Sequence, residues 1–341
     1  MTGALAVLHR LAVRVERLVD RLRPRRRDGA PVALDPYRGF ATPDRLVLRG
    51  RVLTSLRRTA PSPEQSRWQN LRQMASLFFT DEVEGVEVEI PDYGVRAVSD
   101  EEGYIWIEVP RRDNAPIGWC DVEVAVAQEG GAREAFPVLV PGPDAQLGVI
   151  SDIDDTLMET GAYSLARNLW TTFTGSTLTR KIFQDSVVLI DHLSGHGRNP
   201  VFYVSSSPWN LHAFLLRVFR RAGLVDGPMF LRDLGISETK FVTGTHGGHK
   251  GDAIARVMGA NPGLPFVLIG DTGQHDAHVY LEACRQQGGR VTAVILREPG
   301  PGPDAESRRA IAAMRAMGVT VVTGATFAEV PAALERAGLV V

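Results

Sequence analysis

Cysteine is almost missing from this chain. Cys120 and Cys284 are the only two in 341 residues and have no paired spacing, which argues against a disulfide framework or a cysteine-based zinc site and fits a reducing compartment. No uninterrupted apolar run reaches the roughly 18 residues that a spanning helix needs, so a membrane span is not expected. There is no GxGxxG turn followed by a ribose-binding acid, no Walker lysine motif and no sustained repeat, which sets aside a dinucleotide or P-loop nucleotide site. Net charge is scarce too, at −2, and by itself names no partner. With 44% hydrophobic and 23% charged residues, the chain is globular and long enough for two domains.

The small net charge hides an asymmetry. Residues 1–27 hold eight arginines against Glu16 and Asp20, a local +6 within a total of −2, so the remainder carries −8. Ala4, Leu8, Leu11, Val15, Leu18 and Leu22 form an apolar stripe at helical spacing, and Arg10, Arg14, Arg17 and Arg21 form a second, basic stripe. Three roles stay open for this amphipathic helix: packing on the protein's own second domain, lying in an anionic membrane surface, or pairing with a second copy. The arginines interrupt any signal-peptide core, so the expected location is cytoplasmic, peripheral at the inner membrane surface if the helix binds lipid. Because the strong basic patch is confined to this segment, a nucleic-acid partner is not expected.

From residue 36 to 145 the pattern shortens to alternating runs. Val86, Val88, Ile90 and then Ile105, Ile107, Val109 are apolar at every second position and are separated by the Asp92–Gly94 and Asp100–Gly103 turns, while Gly130 and Gly131 signal a hairpin. The expectation is a β-rich sandwich or barrel domain with Trp106 and Trp119 in its core and one helical insertion around Glu64 to Phe79. The prolines and glycine of residues 140–144 mark its end. Residues 146–341 then alternate strand and helix, which predicts an α/β, doubly wound, mainly parallel sheet. The stretch Thr156 to Asp185 supplies only a small cap, with Trp170 and Phe173 packed on the core or facing an acyl chain. His246 and His249 read as loop residues.

Four segments of this half carry chemistry. GVISDIDDTL, residues 148–157, places an apolar strand ahead of Asp152, Asp154 and Asp155. Two carboxylates two positions apart at a strand end converge, and their repulsion implies a divalent metal. PVFYVSSSPWN, residues 200–210, runs a strand into Ser205, Ser206 and Ser207; HKGDAIARVM sets Lys250 at the start of a helix; FVLIGDTGQHD, residues 266–276, ends a strand at Asp271 with Asp276 five positions later. Each has an ordinary explanation alone, as turn, cap or surface lysine. Together, on strand ends that share one edge of a parallel sheet, they would gather into one crevice.

SDIDDT, YVSSSPW, HKGDAI and IGDTGQHD resemble the four motifs of the haloacid dehalogenase superfamily, and specifically the catalytic domain of the actin-patch type of Mg2+-dependent phosphatidate phosphatase. The resemblance covers about residues 146–300. His275 stands where that family more often has lysine, and Thr272 where it has serine. What it implies is a haloacid dehalogenase-like fold and phosphatidate, presented in a membrane, as the phosphorylated substrate.

The residues can fill matching roles. Asp152 would attack phosphorus to give an aspartyl-phosphate, and Asp154 would protonate the leaving oxygen and then activate water. Mg2+ would be held by Asp152, Asp271 and the Asp154 carbonyl, with Asp276 orienting that shell. Ser205, Ser206 and Lys250 would bind the phosphoryl group. A phosphatase for another phosphomonoester (a nucleic-acid end, a phosphoprotein or a soluble metabolite) and an inactive membrane-binding scaffold remain as alternatives.

Overall fold

Six short strands, each followed or preceded by a helix, build the half of the chain that carries the motif aspartates. The computed structural model describes residues 32–54, 83–159, 182–232, 246–298, 300 and 302–339. The basic stripe of residues 1–27, the insertion around Glu64 to Phe79 and the cap residues Trp170 and Phe173 lie outside the described residues.

The strands are β8 (Gly148–Asp152), β9 (Val201–Pro208), β10 (Met229–Arg232), β11 (Phe266–Asp271), β12 (Val291–Arg297) and β13 (Thr320–Gly324). They are parallel and ordered β10-β9-β8-β11-β12-β13. Continuous apolar sequence such as Phe266–Ile269 suits strands covered on both faces. Helices α1 (Gln184–Ser194), α2 (His212–Ala222) and α6 (Val330–Arg336) cover one face, over Val149, Tyr203, Ile269 and Ile295. Helices α3 (His246–Ala260), α4 (Asp276–Gln286) and α5 (Ala305–Ala316) cover the other, over Ile150, Phe202, Leu268 and Val294. Fully buried side chains of this kind each contribute on the order of 2 kcal/mol, so the sheet is a rigid base for its loops. From β8 the chain first winds outward through β9 and β10, then returns to the other side of β8 with β11. The reversal opens a crevice beyond the carboxyl ends of β8 and β11, where ligands bind in such sheets.

The preceding strands are β1 (Ala33–Ala41), β2 (Arg45–Leu53), β3 (Glu87–Ile90), β4 (Val95–Val98), β5 (Tyr104–Pro110), β6 (Gly118–Val126) and β7 (Arg133–Val140). They form one sheet ordered β4-β3-β6-β7-β1-β2-β5, antiparallel except for β1 beside β7. Its outer strands β4 and β5 approach each other, so the sheet curls into a nearly closed barrel rather than stacking as two layers. Two sequence expectations need correction. Trp106 and Trp119 are 43% and 37% exposed, because alternation turns Ile105 and Ile107 inward and leaves Trp106 on the outer face. His246 and His249 are in the first turn of α3, not in a loop. Cys120 and Cys284 are both free. Among the described residues no helix is long and apolar enough to cross a membrane.

Candidate active site

Asp152 is the last residue of β8 and Asp271 the last of β11, so the strand reversal sets the two carboxylates side by side at the crevice. Asp154 lies on the turn after β8. That turn is tight: Asp155 has a left-handed backbone, φ 57°, a conformation aspartate tolerates better than most residues. Helix α3 brings in Lys250, and α4 begins at Asp276. The side chains of Asp152, Asp154, Lys250, Asp271 and Asp276 are all buried.

Lys250 is the cation at the centre. Its Nζ lies 2.7 Å from Asp152 Oδ1 and 2.5 Å from Asp276 Oδ1. Burial alone would lower its pKa, but Asp152 and then Asp276 more than offset this and hold the ammonium above its ordinary range. Asp276 Oδ2 accepts from the backbone N–H of Asp271 at 3.2 Å, so both oxygens of Asp276 are engaged in orienting neighbours. That hold requires a glycine beforehand. A Cβ on Gly270 would lie 2.6 Å from Asp276 Oδ2 and 2.7 Å from Tyr280 Oη.

Asp152 Oδ2 accepts from Thr156 Oγ1 at 3.2 Å. The Thr156 carbonyl accepts from Arg297 Nε, 3.1 Å away, and Arg297 also pairs with Asp185 at 2.9 and 3.2 Å between the rings of Phe183 and Phe327. Arg297 thereby ties the turn after β8 to α1. Asp154 is held differently, with Ser205 Oγ and Ser207 Oγ both donating to its Oδ2, at 2.8 and 2.9 Å. Its Oδ1 is buried without a hydrogen-bond partner among the described residues. Gln274 Nε2 donates to the Asp154 carbonyl at 3.1 Å and to Asp155 Oδ2 at 3.4 Å.

Crowded carboxylates resist ionising. Burial first, and then the negative neighbours Asp276, Asp271 and Asp154, push Asp152 well above the ordinary value, with Lys250 opposing. Burial, followed by Asp276, raises Asp271 to about 8. Asp271 Oδ2 has no hydrogen-bond partner among the described residues, and Asp152, Asp271 and Asp276 each offer an oxygen within 4.8 Å of the others. Hard oxygen donors, excess negative charge and an orphaned buried carboxylate oxygen are what a small divalent cation such as Mg2+ requires. Both oxygens of Asp276 are engaged by Lys250 and the Asp271 N–H, and those of Asp152 meet Lys250 and Thr156, so among the described residues Asp271 Oδ2 is the open donor of this group, with Asp152 beside it as the second candidate ligand.

Of the residues singled out in the sequence, Asp152, Asp154, Ser205, Lys250, Asp271 and Asp276 thus meet in one place. Ser206 is half-buried between Ser205 and Ser207 and makes neither bond to Asp154. Ser205 has its hydroxyl proton turned to Asp154 and accepts the Ser207 N–H at 2.8 Å. The sequence patterns assign no role to Ser207, Gln274 or Arg297. The period of two along a strand was a usable signal for Ser207, which shares a face with Ser205; Gln274 and Arg297 act through contacts that span 119 to 141 residues of chain and leave no local pattern.

Comparison with known proteins falls on the same stretch. Residues 147–298 match the family model described as "Phosphatidate phosphatase APP1, catalytic domain". The chain is also 27% identical over 164 residues to Phosphatidate phosphatase APP1 of Saccharomyces cerevisiae, an alignment covering 48% of this chain and 28% of the yeast protein. The chain therefore spans well under half the length of that relative. Every side chain placed at the crevice lies inside the matched segment, which is similar to the catalytic domain of a phosphatase.

Proposed function

We propose that the chain is a Mg2+-dependent phosphomonoester hydrolase of the haloacid dehalogenase type that acts on phosphatidate through an aspartyl-phosphate on Asp152. The observation that carries this reading is the meeting of Asp152, Asp154, Lys250 and Asp271 at the β8/β11 reversal. The phosphatidate assignment is supported by the family match and the yeast relative.

In the first step an Asp152 carboxylate oxygen forms a bond to phosphorus while the bond from phosphorus to the diacylglycerol oxygen breaks. Asp154 Oδ1, the oxygen left free by the two serines, gives its proton to that departing oxygen. In the second, Asp154 takes a proton from water, the water oxygen attacks the acyl phosphate, and phosphate leaves with the Asp152 carboxylate restored. Lys250 neutralises Asp152 and the incoming phosphoryl oxygens, and Ser206 with backbone N–H groups of the β9 end would receive those oxygens. Asp152, Asp271 and the Asp154 carbonyl would hold Mg2+, which would supply charge neutralisation of the phosphate. A membrane-borne substrate also suits the basic stripe of residues 1–27 as a contact with anionic lipid.

Turnover of phosphatidate in mixed micelles tests the assignment. Phosphate release is expected with Mg2+ and none in excess chelator, whereas release from soluble phosphomonoesters alone would remove phosphatidate as substrate. Metal binding has a second readout. The raised pKa of Asp271 means the metal-free folded chain keeps a proton that the unfolded chain loses, so this group's contribution to stability falls as pH rises from 3.8 to about 8. A cation binds the deprotonated form, so the rise in melting temperature caused by Mg2+ should grow across that window. A Mg2+ shift that is flat or shrinks with pH would speak against Asp271 as a ligand.

A further inference from the structure

Beyond Val204 the catalytic strand β9 has little sheet to lean on. Its pairing with β8 ends at Asp152 opposite Val204, and its register with β10 slips before Pro208 meets Arg232. Ser205 and Ser207, which hold Asp154, lie on this weakly paired end. Next along the chain comes Trp209, in a 3-10 turn Trp209–Leu211 that leads into α2.

The barrel grips that turn. Tyr37 of β1 stacks on Trp209 with ring centroids 4.6 Å and planes 6° apart, and meets the His212 ring at 4.5 Å. Arg49 of β2 places its guanidinium 5.4 Å from the Trp209 ring and 4.5 Å from that of Phe230 on β10. Arg49 is 3% exposed, and among the described residues no carboxylate pairs with it; it donates to the Arg38 carbonyl while Nε and Nη1 have no hydrogen-bond partner there. Ring faces are thus the main compensation for its buried charge, which makes the barrel-to-sheet seam costly to open. Arg38 of β1 adds an ion pair to Asp226 in the segment before β10.

We propose that the barrel is a working part of the active site, with Tyr37 a positioning residue: stacked on Trp209, it holds Ser205 and Ser207 in place to fix Asp154. The inference rests on Asp154 as the proton donor to the leaving group. A displaced Asp154 slows departure of an alkoxide, which needs that proton, far more than departure of p-nitrophenolate, which does not.

The test is single-turnover release of the leaving group by the full chain with Mg2+, from phosphatidate or glycerol 3-phosphate and from p-nitrophenyl phosphate. General-acid help is worth about 10^2–10^4-fold, so Tyr37→Ala should slow alkyl release by roughly tenfold or more and nitrophenolate release by less than about threefold. Tyr37→Phe, which keeps the stacked ring, should preserve the wild-type ratio. Should Tyr37→Ala fail to fold, Tyr37→Leu offers similar bulk without the stack and is read by the same ratio. Equal slowing of both substrates, or no slowing, overturns the inference. Asp154→Asn separates the two readings: if it slows both substrates alike, Asp154 is not the acid and the underlying mechanism fails; if it shows the split and neither Tyr37→Ala nor Tyr37→Leu does, only the role of the barrel fails.

Discussion

Asp152→Asn is expected to reduce phosphate release by about 10^4-fold or more, to the level of protein-independent hydrolysis, because in the proposed mechanism it removes the attacking oxygen itself. The amide is nearly isosteric and keeps an oxygen that can face Lys250, and the surrounding carboxylates remain buried with their partners. Burial raises the pKa of Asp152, so exchanging it for a neutral amide relieves repulsion with Asp271, Asp276 and Asp154. The variant should therefore fold as well as the wild type and still bind phosphatidate micelles. Circular dichroism and micelle binding alongside turnover check this. Comparable phosphate release by the variant and the wild type would mean that another group performs the attack.

Lys250→Met carries the second large effect, on activity and stability together. It removes the cation that touches both Asp152 and Asp276 and leaves two buried carboxylates facing each other. Breaking a buried ion pair from one side costs roughly 3–5 kcal/mol, and loss of a donor that stabilises transition-state charge costs about 10^2–10^3 in kcat. The pH dependence has a definite sign. With its pKa raised above the ordinary 10.5, the ammonium contributes its full stabilisation below that value and loses it only as pH climbs through the folded value. At the acidic end the carboxylates take up protons, so the melting-temperature gap between wild type and Lys250→Met should narrow as pH falls from neutral. A gap that widens towards acid, or a variant within tenfold of wild-type activity, would contradict the central role given to Lys250.

Much of the site was legible before the fold, for a physical reason. Each side chain of the candidate site sits at or just beyond the end of an apolar strand or near the start of a helix, and parallel sheets send all strand carboxyl ends to one edge. Asp152 and Asp271 needed only that rule, and Lys250 only its place in the first turns of α3. The use of the serines was harder to see. A hydroxyl after a catalytic strand reads as a phosphate ligand, yet Ser205 and Ser207 both turn to Asp154, because two acceptor sites on one buried carboxylate oxygen need donors. The sequence left sandwich and barrel both open, since the choice depends on β4 meeting β5 and on β1 lying parallel to β7, pairings between residues far apart in the chain. The outward Trp106 has a related cause. The strand pattern placed Ile105 and Ile107 inside correctly, and the same pattern sends Trp106 to the outer face, where Arg256 lies 4.8 Å over its ring and Phe40 meets it edge-on at 6.1 Å.

The most direct measurement is rapid acid quenching of the full chain mixed with Mg2+ and phosphatidate labelled in its phosphate, then peptide mapping. Label covalently bound to the peptide containing Asp152, absent in Asp152→Asn and cleared on a longer incubation, is the expected result. Label on another residue, or hydrolysis at full rate with no label trapped at any time, would contradict nucleophilic attack by Asp152.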